Sequence, residues 1–192
     1  MNPLALYFQD QQALLSQLDT TTLGTILEIL ERARTERHHI FVFGNGGSAS
    51  TASHFAADLG KNTVRSHMPR FQVTCLNDNM AIFSAYANDD GYDSVFAEPL
   101  ISLSNSGDVA IAISASGNSP NVVRAIQAAN ERGLVTIGLA GMSGGKLAQL
   151  ARHSIVVPSQ SYEHVEDAHL MLCHALVATI KQNHPELNKG EA

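Results

Sequence analysis

The chain has 192 residues, of which 44% are hydrophobic and 16% charged, and its formal net charge is −6. This length suits one domain with a full hydrophobic core and is short for two. The acidic balance, without clustered Lys and Arg, argues against a nucleic-acid binder. No apolar run reaches membrane-spanning length, so we expect no contact with a membrane.

The first residues, MNPLALYFQDQQ, have neither a basic flank nor a long apolar core, and they do not resemble a signal peptide. We therefore expect a cytoplasmic location. The two cysteines, Cys75 and Cys173, have no paired spacing, and we expect both to be buried free thiols.

The first 37 residues are predicted to form two helices. One runs from Leu4 to Leu18, and the other opens at a capping region of three threonines, Thr20 to Thr22. In the second helix, four apolar residues recur at helical spacing: Leu23, Ile26, Leu27 and Leu30. We assign residues 1–37 to an N-terminal helical extension and residues 38–192 to an α/β core of the same domain.

After the extension, short apolar runs alternate with helical segments. Five runs rich in β-branched residues are predicted as buried strands: HIFVFG, FQVTCL, DVAIAIS, VTIGLA and SIVVP. Such strands, separated by helices and closed by a last helix in SYEHVEDAHLMLCHALVATIKQNH, indicate a parallel sheet with right-handed crossovers. The predicted fold is a three-layer, doubly wound α/β domain, flavodoxin-like, over a five-stranded parallel sheet.

The strand HIFVFG leads directly into a glycine-rich turn, GNGGS, that opens a helix. Helix N-termini at the carboxyl ends of parallel strands attract anions, and small residues let a phosphate approach the backbone. Gly44-x-Gly46-x-x-Ala49 fits a dinucleotide fingerprint loosely, and Asp78 lies later than the acidic residue of that fingerprint. The loop alone is equally compatible with a plain strand-to-helix turn.

A second loop, SASGNS, follows the strand DVAIAI. Ser119 suits an N-cap with Pro120 at the first helical position, whereas the hydroxyls of Ser114 and Ser116 crowd the strand end. Crowded hydroxyls suit a phosphate monoester better than they suit packing, so two such loops predict a phosphosugar site. Its predicted lining is Asn45, Gly46, Gly47, Ser48, Ser114, Ala115, Ser116 and Ser119.

Two helices each offer a histidine with a carboxylate. His54 and Asp58 lie four residues apart on the helix after GNGGS and so share one face. Glu166 and His174 lie eight residues apart, about two turns, on the last helix. If these helices approach each other, the set can hold zinc or another divalent ion. Histidines and acids also share helix faces by chance.

Three segments, GNGGSAS…HFAADL, ANDDGYDSVF and ISASGNSPNVVRAI, together resemble the sugar isomerase (SIS) domain family over nearly the whole chain. The most similar branch is the phosphoheptose isomerases, which convert sedoheptulose 7-phosphate to glycero-manno-heptose 7-phosphate. The resemblance implies a homotetramer with sites between subunits. It also implies that Asn88 and Asp89 contact sugar hydroxyls, although the two also fit a helix-ending turn before Gly91.

The resemblance further implies that zinc is bound, and protons are transferred, at four positions: His54, Asp58, Glu166 and His174. Two of them depart from the pattern of the family, because Asp58 replaces the usual Glu and Glu166 replaces the usual Gln. Isomerisation through an enediol needs a base that moves a proton between C1 and C2, and an acid or metal at the oxygen. We assign the base to Asp58 or Glu166 and the acid to His174.

Two other functions stay open on the sequence. Some members of the SIS family catalyse no reaction and bind the bacterial replication initiator; they keep both loops but lack the first-helix carboxylate, whereas Asp58 is acidic here. The other alternative is an isomerase of a different phosphosugar, because contacts that spacing does not reveal distinguish the stereochemistry of hydroxyls.

Overall fold

A computed structural model describes residues 2–185, so the predicted domain limits at residues 1 and 192 lie outside the described part. Helices α1 (Pro3–Leu15) and α2 (Thr20–Glu36) precede the sheet. The strands are β1 (His39–Gly44), β2 (Gln72–Cys75), β3 (Val109–Ser114), β4 (Val135–Gly141) and β5 (His153–Val157). The other helices are α3 (Gly47–Ala57), α4 (Met80–Asp89), α5 (Ala97–Leu103), α6 (Pro120–Glu131), α7 (Gly145–Leu150) and α8 (Tyr162–Asn183).

Two shorter helical segments complete the path of the chain. A π-helical segment, Asp58–Asn62, continues α3, and a 3-10 turn, Tyr92–Ser94, precedes α5. The chain from Tyr92 to Leu103 is thus divided between this turn and α5.

The five strands are all parallel, in the order β2-β1-β3-β4-β5, which is the flavodoxin-like order. Side chains alternate between the faces of the sheet, so Ile40 and Val42 join one core while Phe41 and Phe43 join the other. Helices α2, α3 and α8 cover the first face, and α5, α6 and α7 cover the second. The predicted doubly wound α/β fold is confirmed.

The two N-terminal helices are present, with ends that differ from the prediction. Helix α1 ends at Leu15 rather than Leu18. Asp19, rather than the threonines, caps α2: its Oδ1 accepts hydrogen bonds from the backbone N–H groups of Thr21 and Thr22 at 2.9 and 3.1 Å. A hydrogen bond from the Thr22 hydroxyl lowers the pKa of Asp19 further. Aspartate is as good an N-cap as threonine, and here it stands one residue earlier.

Both cysteines are free and buried, as predicted. Burial raises the pKa of each thiol, Cys75 and Cys173, to about 12. Both are therefore protonated and unreactive at neutral pH.

Across residues 2–185, no helix combines the length and the apolar character needed to cross a membrane. The cytoplasmic location stays a prediction.

Helix α8 carries a buried histidine on its inner face. His169 is 1% exposed, and its Nε2 donates a hydrogen bond to the carbonyl oxygen of Ala140 in β4 at 3.1 Å. Burial lowers the pKa of His169 to about 4, and the hydrogen bond opposes this shift. The ring is therefore neutral at pH 7 and joins the last helix to the sheet.

Acidification is expected to destabilise the fold through His169. Below about pH 6.5 the unfolded chain protonates this ring, whereas the folded chain does so only near pH 4, so the unfolding free energy falls across that window. The full loss is on the order of 3 kcal/mol. Urea unfolding at pH 7 and pH 4.5 measures it. The loss should shrink in His169→Gln and persist in His67→Gln, a control at an exposed ring; equal losses in both variants would contradict the assignment.

Candidate active site

The carboxyl ends of β1 and β3 meet at one edge of the sheet. Gly44 and Ile113 are partners in register, so the GNGGS and SASGNS loops leave neighbouring strands at the same level. The following helices, α3 and α6, lie on opposite faces of the sheet. Where the connections diverge in this way, a crevice opens that commonly binds ligands.

A cavity of about 140 Å³ occupies this crevice. Eight described residues line it, and seven of them were predicted: Asn45, Ser48, Ser114, Ala115, Ser116, Ser119 and Glu166. The eighth is Tyr162. Gly46 and Gly47, also predicted, form the turn between Asn45 and Ser48. Their roles as substrate contacts stay predictions.

Neutral polar groups dominate the lining of the cavity. Of its eight described lining residues none is Lys or Arg. An anion in this cavity would therefore be bound by hydroxyls, amides and the backbone N–H groups at the starts of α3 and α6. Ser119 precedes Pro120 at the N-cap of α6, as predicted, but its hydroxyl makes no capping hydrogen bond. That hydroxyl lies 3.4 Å from the hydroxyl of Ser114, so the two form one polar patch.

Residues outside the predicted set hold Asn45 in place. Its side chain exchanges two hydrogen bonds of 2.9 Å with the amide of Asn121 on α6, and the hydroxyl of Tyr92 donates to Asn45 Oδ1 at 3.0 Å. Sequence reasoning missed both partners, and it missed Tyr162. The signal available for Tyr162 was its position one helical turn before Glu166.

Glu166 projects from α8 against the start of α3. A Cβ built on Gly47 would lie 2.2 Å from Glu166 Oε2, so glycine at this position lets the carboxylate approach the backbone. The first turn of a helix carries a partial positive charge, which favours a carboxylate there. Glu166 thus forms a wall of the cavity.

A group of possible metal ligands lies further along α3 and α8. The Nε2 atoms of His54 and His174 are 3.4 Å apart, and Asp58 Oδ2 lies 3.5 Å from the first and 3.7 Å from the second. Tetrahedral ligands at about 2.0–2.1 Å from zinc lie about 3.3–3.4 Å from one another. The amide of Asn62 donates to Asp58 Oδ1 at 2.7 Å, which leaves Oδ2 towards the imidazoles.

The structure therefore brings together three of the four predicted ligands. His54, Asp58 and His174 form the one such group found among residues 2–185, and Glu166 is not part of it. Eight residues rotate an α-helix by about 800°, so Glu166 is turned by about 80° from His174 around the axis of α8. That rotation explains why Glu166 faces the cavity.

The cavity and the cluster lie along the same pair of helices. Ser48 of α3 and Glu166 of α8 line the cavity, and His54 and His174 follow them along the two helices. With a rise of 1.5 Å per residue, the cluster lies about 9–12 Å from the cavity along the helix axes. The cluster therefore follows the cavity along both helices.

Asn88 and Asp89 lie elsewhere. They are exposed at the end of α4, where the amide of Asn88 donates to Asp89 Oδ1 at 2.7 Å. Neither is among the described residues that line the cavity. Within the single chain they do not join the other predicted site residues.

Comparison with known proteins matches a family model, described as the SIS domain, to residues 6–141. The chain belongs to the SIS domain family. It is 37% identical over 156 residues to a phosphoheptose isomerase of Thermodesulfovibrio yellowstonii, covering 81% of this chain and 77% of the relative. It is 36% identical over 176 residues to one of Helicobacter pylori, covering 91% and 88%.

A solved structure of phosphoheptose isomerase from Neisseria gonorrhoeae has the same fold, with a TM-score of 0.86 at 29% identity over 93% of this chain and 97% of that chain. Within the SIS domain family, the chain thus groups with the phosphoheptose isomerases, as its motifs predicted.

Gly117 fits the SASGNS loop of this SIS domain against the loop after β4. Its φ is +63°, and an added Cβ would lie 2.1 Å from the carbonyl oxygen of Gly144. We expect Gly117→Ala to lower the unfolding free energy by about 2–3 kcal/mol, because the left-handed conformation is strained and the backbone contact must open. Urea denaturation measures the change.

Gly24→Ala in α2 is the matched control, because a Cβ there meets nothing within 4 Å. It should raise the unfolding free energy by about 0.5–1 kcal/mol. A Gly117→Ala protein as stable as the wild type would contradict the close packing of the two loops.

Proposed function

We propose that the chain is an aldose–ketose isomerase that converts sedoheptulose 7-phosphate to D-glycero-D-manno-heptose 7-phosphate. The observation that carries the proposal is that a serine-lined cavity and a cluster of two imidazoles and a carboxylate lie along the same two helices, α3 and α8. The names of the relatives, phosphoheptose isomerase at 36% and 37% identity, support the same substrate.

The length of the site suits a seven-carbon phosphosugar. Six C–C bonds of about 1.5 Å, extended as a zigzag, reach about 8 Å, and the phosphate ester adds to this length. With its phosphate among the serine hydroxyls, such a sugar presents C1 and C2 to the cluster about 9–12 Å away. A shorter phosphosugar would leave its reacting carbons between the two ends of the site.

The residues of the cluster supply the acid and base that the reaction needs. Asp58 removes a proton from C1, and His174 protonates the oxygen at C2, which gives the enediol. Asp58 then returns the proton to C2 while His174 takes the proton of the C1 hydroxyl, which leaves the aldehyde at C1. Of the two candidate bases this arrangement favours Asp58, because Glu166 lies on the cavity wall at the phosphate end.

The same cluster is suited to a divalent ion, and we propose zinc. Two imidazoles and a carboxylate are a donor set that zinc accepts, and three protein ligands with an open fourth position are typical of catalytic zinc. When bound, the ion would act as a Lewis acid towards the sugar oxygens in place of the His174 acid, because an imidazole nitrogen that ligates zinc carries no proton. The spacing of His54, Asp58 and His174 supports this assignment.

The activity test separates the two candidate bases. Asp58→Asn is expected to lower kcat by about a hundredfold or more, the usual contribution of a general base. Glu166→Gln is expected to keep kcat within about threefold, because Asp58 remains. NMR follows aldose formation from sedoheptulose 7-phosphate and a panel of other ketose phosphates, with and without zinc.

Full activity in Asp58→Asn would contradict its role as base. Failure of the wild type to convert any ketose phosphate would contradict the proposed function, and preference for another member of the panel would change the substrate.

Metal content tests the cluster independently of activity. Protein purified without an affinity tag is expected to hold about one zinc ion per chain, and His54→Ala and His174→Ala to lose most of it. Elemental analysis measures the content. His67→Ala is the matched control, because His67 is an exposed histidine outside the cluster. Unchanged content in both cluster variants would contradict the metal site.

We also propose that the working form is a homotetramer with sites at subunit interfaces. Helix α4 buries no residue fully, and its Met80 and Ile82 are 65% and 43% exposed, so a second copy would cover apolar side chains on the outer face of this helix. Asn88 and Asp89 end this helix, and such packing would offer them to a neighbouring copy.

Light scattering is expected to give about 82 kDa for the wild type, four times the mass of 20.6 kDa per chain. Ile82→Lys should lower the mass, because a charge would be buried in the interface. A monomeric wild type would contradict the proposed assembly.

A further inference from the structure

We propose that Asn121, together with Tyr92, is a positioning residue that locks the side-chain amide of Asn45 in one orientation. The lock gives the cavity a hydrogen-bond donor at Asn45 and removes an acceptor. This role rests on the proposed function, because it concerns how the phosphosugar cavity recognises its ligand.

One backbone contact fixes the orientation of both amides. The N–H of Val122 donates to Asn121 Oδ1 at 3.0 Å. The atom of the Asn121 amide that faces this N–H must therefore be the oxygen and not the nitrogen. Asn45 Nδ2 then donates to the same oxygen at 2.9 Å, and Asn45 Oδ1 accepts from Asn121 Nδ2 at 2.9 Å. The hydroxyl of Tyr92, 3.0 Å from Asn45 Oδ1, can only donate there.

These contacts decide what Asn45 can offer to a ligand. Its Oδ1 accepts two hydrogen bonds, which occupies both lone pairs, and one of its two N–H groups is used by Asn121. The polar group that remains for the cavity is one N–H. A ligand can only accept at this point, which suits an oxygen of a phosphate or of a sugar.

Asn121 acts through Asn45 and not on the ligand. It is 1% exposed and is not among the residues that line the cavity. It lies on the first turn of α6, after the SASGNS loop, whereas Asn45 follows β1. The amide pair therefore also spans the crevice and holds the two loops at a fixed separation.

Asn121→Asp tests the lock with almost no change of volume. A carboxylate only accepts hydrogen bonds, so it takes one from the Asn45 amide in either orientation and no longer favours one of them. The Asn45 amide is then expected to rotate freely enough for its oxygen, an acceptor, to enter the cavity. The KM for sedoheptulose 7-phosphate should rise about tenfold, while kcat stays within about threefold, because the reacting groups are untouched. Tyr92→Phe, which removes one contact at an exposed side chain, should raise KM by about threefold.

Asn130→Asp is the matched control. Asn130 lies on the same helix, about 13 Å further along, where its amide donates to the carbonyl oxygen of Leu150 and accepts from the hydroxyl of Thr136. This variant should leave KM within about twofold of the wild type even where it lowers stability. An equal rise of KM in both variants overturns the proposal.

A second measurement does not need turnover. In the ¹⁵N-labelled wild type, one proton of the Asn45 side-chain amide should exchange slowly with water, and in Asn121→Ala both should exchange fast. Fast exchange in the wild type, or an unchanged KM in Asn121→Asp, overturns the proposal. A wild type that leaves sedoheptulose 7-phosphate unconverted overturns the proposed function instead, and the exchange measurement still decides whether the lock exists.

Discussion

The pairing of β1 with β3 is the constraint on which the site depends. Because their ends are in register, Asn45 and Ser114 leave the sheet at the same level, and because α3 and α6 turn to opposite faces, neither loop covers the crevice. The end of β1 is held from its other side by Asn77, whose side chain bonds the N–H and the carbonyl of Gly44 at 3.3 and 2.8 Å. The loop therefore starts from a fixed backbone.

The second requirement is that α3 and α8 run side by side away from this crevice. On each helix, a buried residue lies next to the histidine of the cluster. Phe55 and Cys173 are both 1% exposed, whereas the side chains of His54 and His174 are 49% and 48% exposed. Packing of the buried residues fixes the two backbones, and the imidazoles stay accessible. Reactive groups placed on rigid helices keep the geometry that acid and base transfer needs.

The sequence was sufficient for the parts that depend on local pattern. Strands buried on both faces are continuous apolar runs in the sequence, and glycine and serine residues at the ends of two of these runs identify the two loops. The i, i+4 spacing placed His54 and Asp58 together. Asn121 and Tyr92 were missed because they meet Asn45 across 76 and 47 residues of chain. Nothing in a local pattern carries such contacts.

The position of Glu166 could not be predicted in full from the sequence, and it places a negative charge in the cavity proposed for a phosphate. Its angle from His174 follows from helix geometry, but only the approach of α8 to α3 shows that its carboxylate meets Gly47. A carboxylate in a cavity proposed for a phosphate would repel it if both used the same donors. Two helix starts border this cavity, however: Glu166 lies at α3, while Ser114 and Ser119 lie at α6. In the proposed complex, a phosphate on the α6 side would have its own hydroxyls and its own helix dipole. It would not compete with Glu166 for the donors of α3, and the sugar would extend past Glu166 towards Asp58.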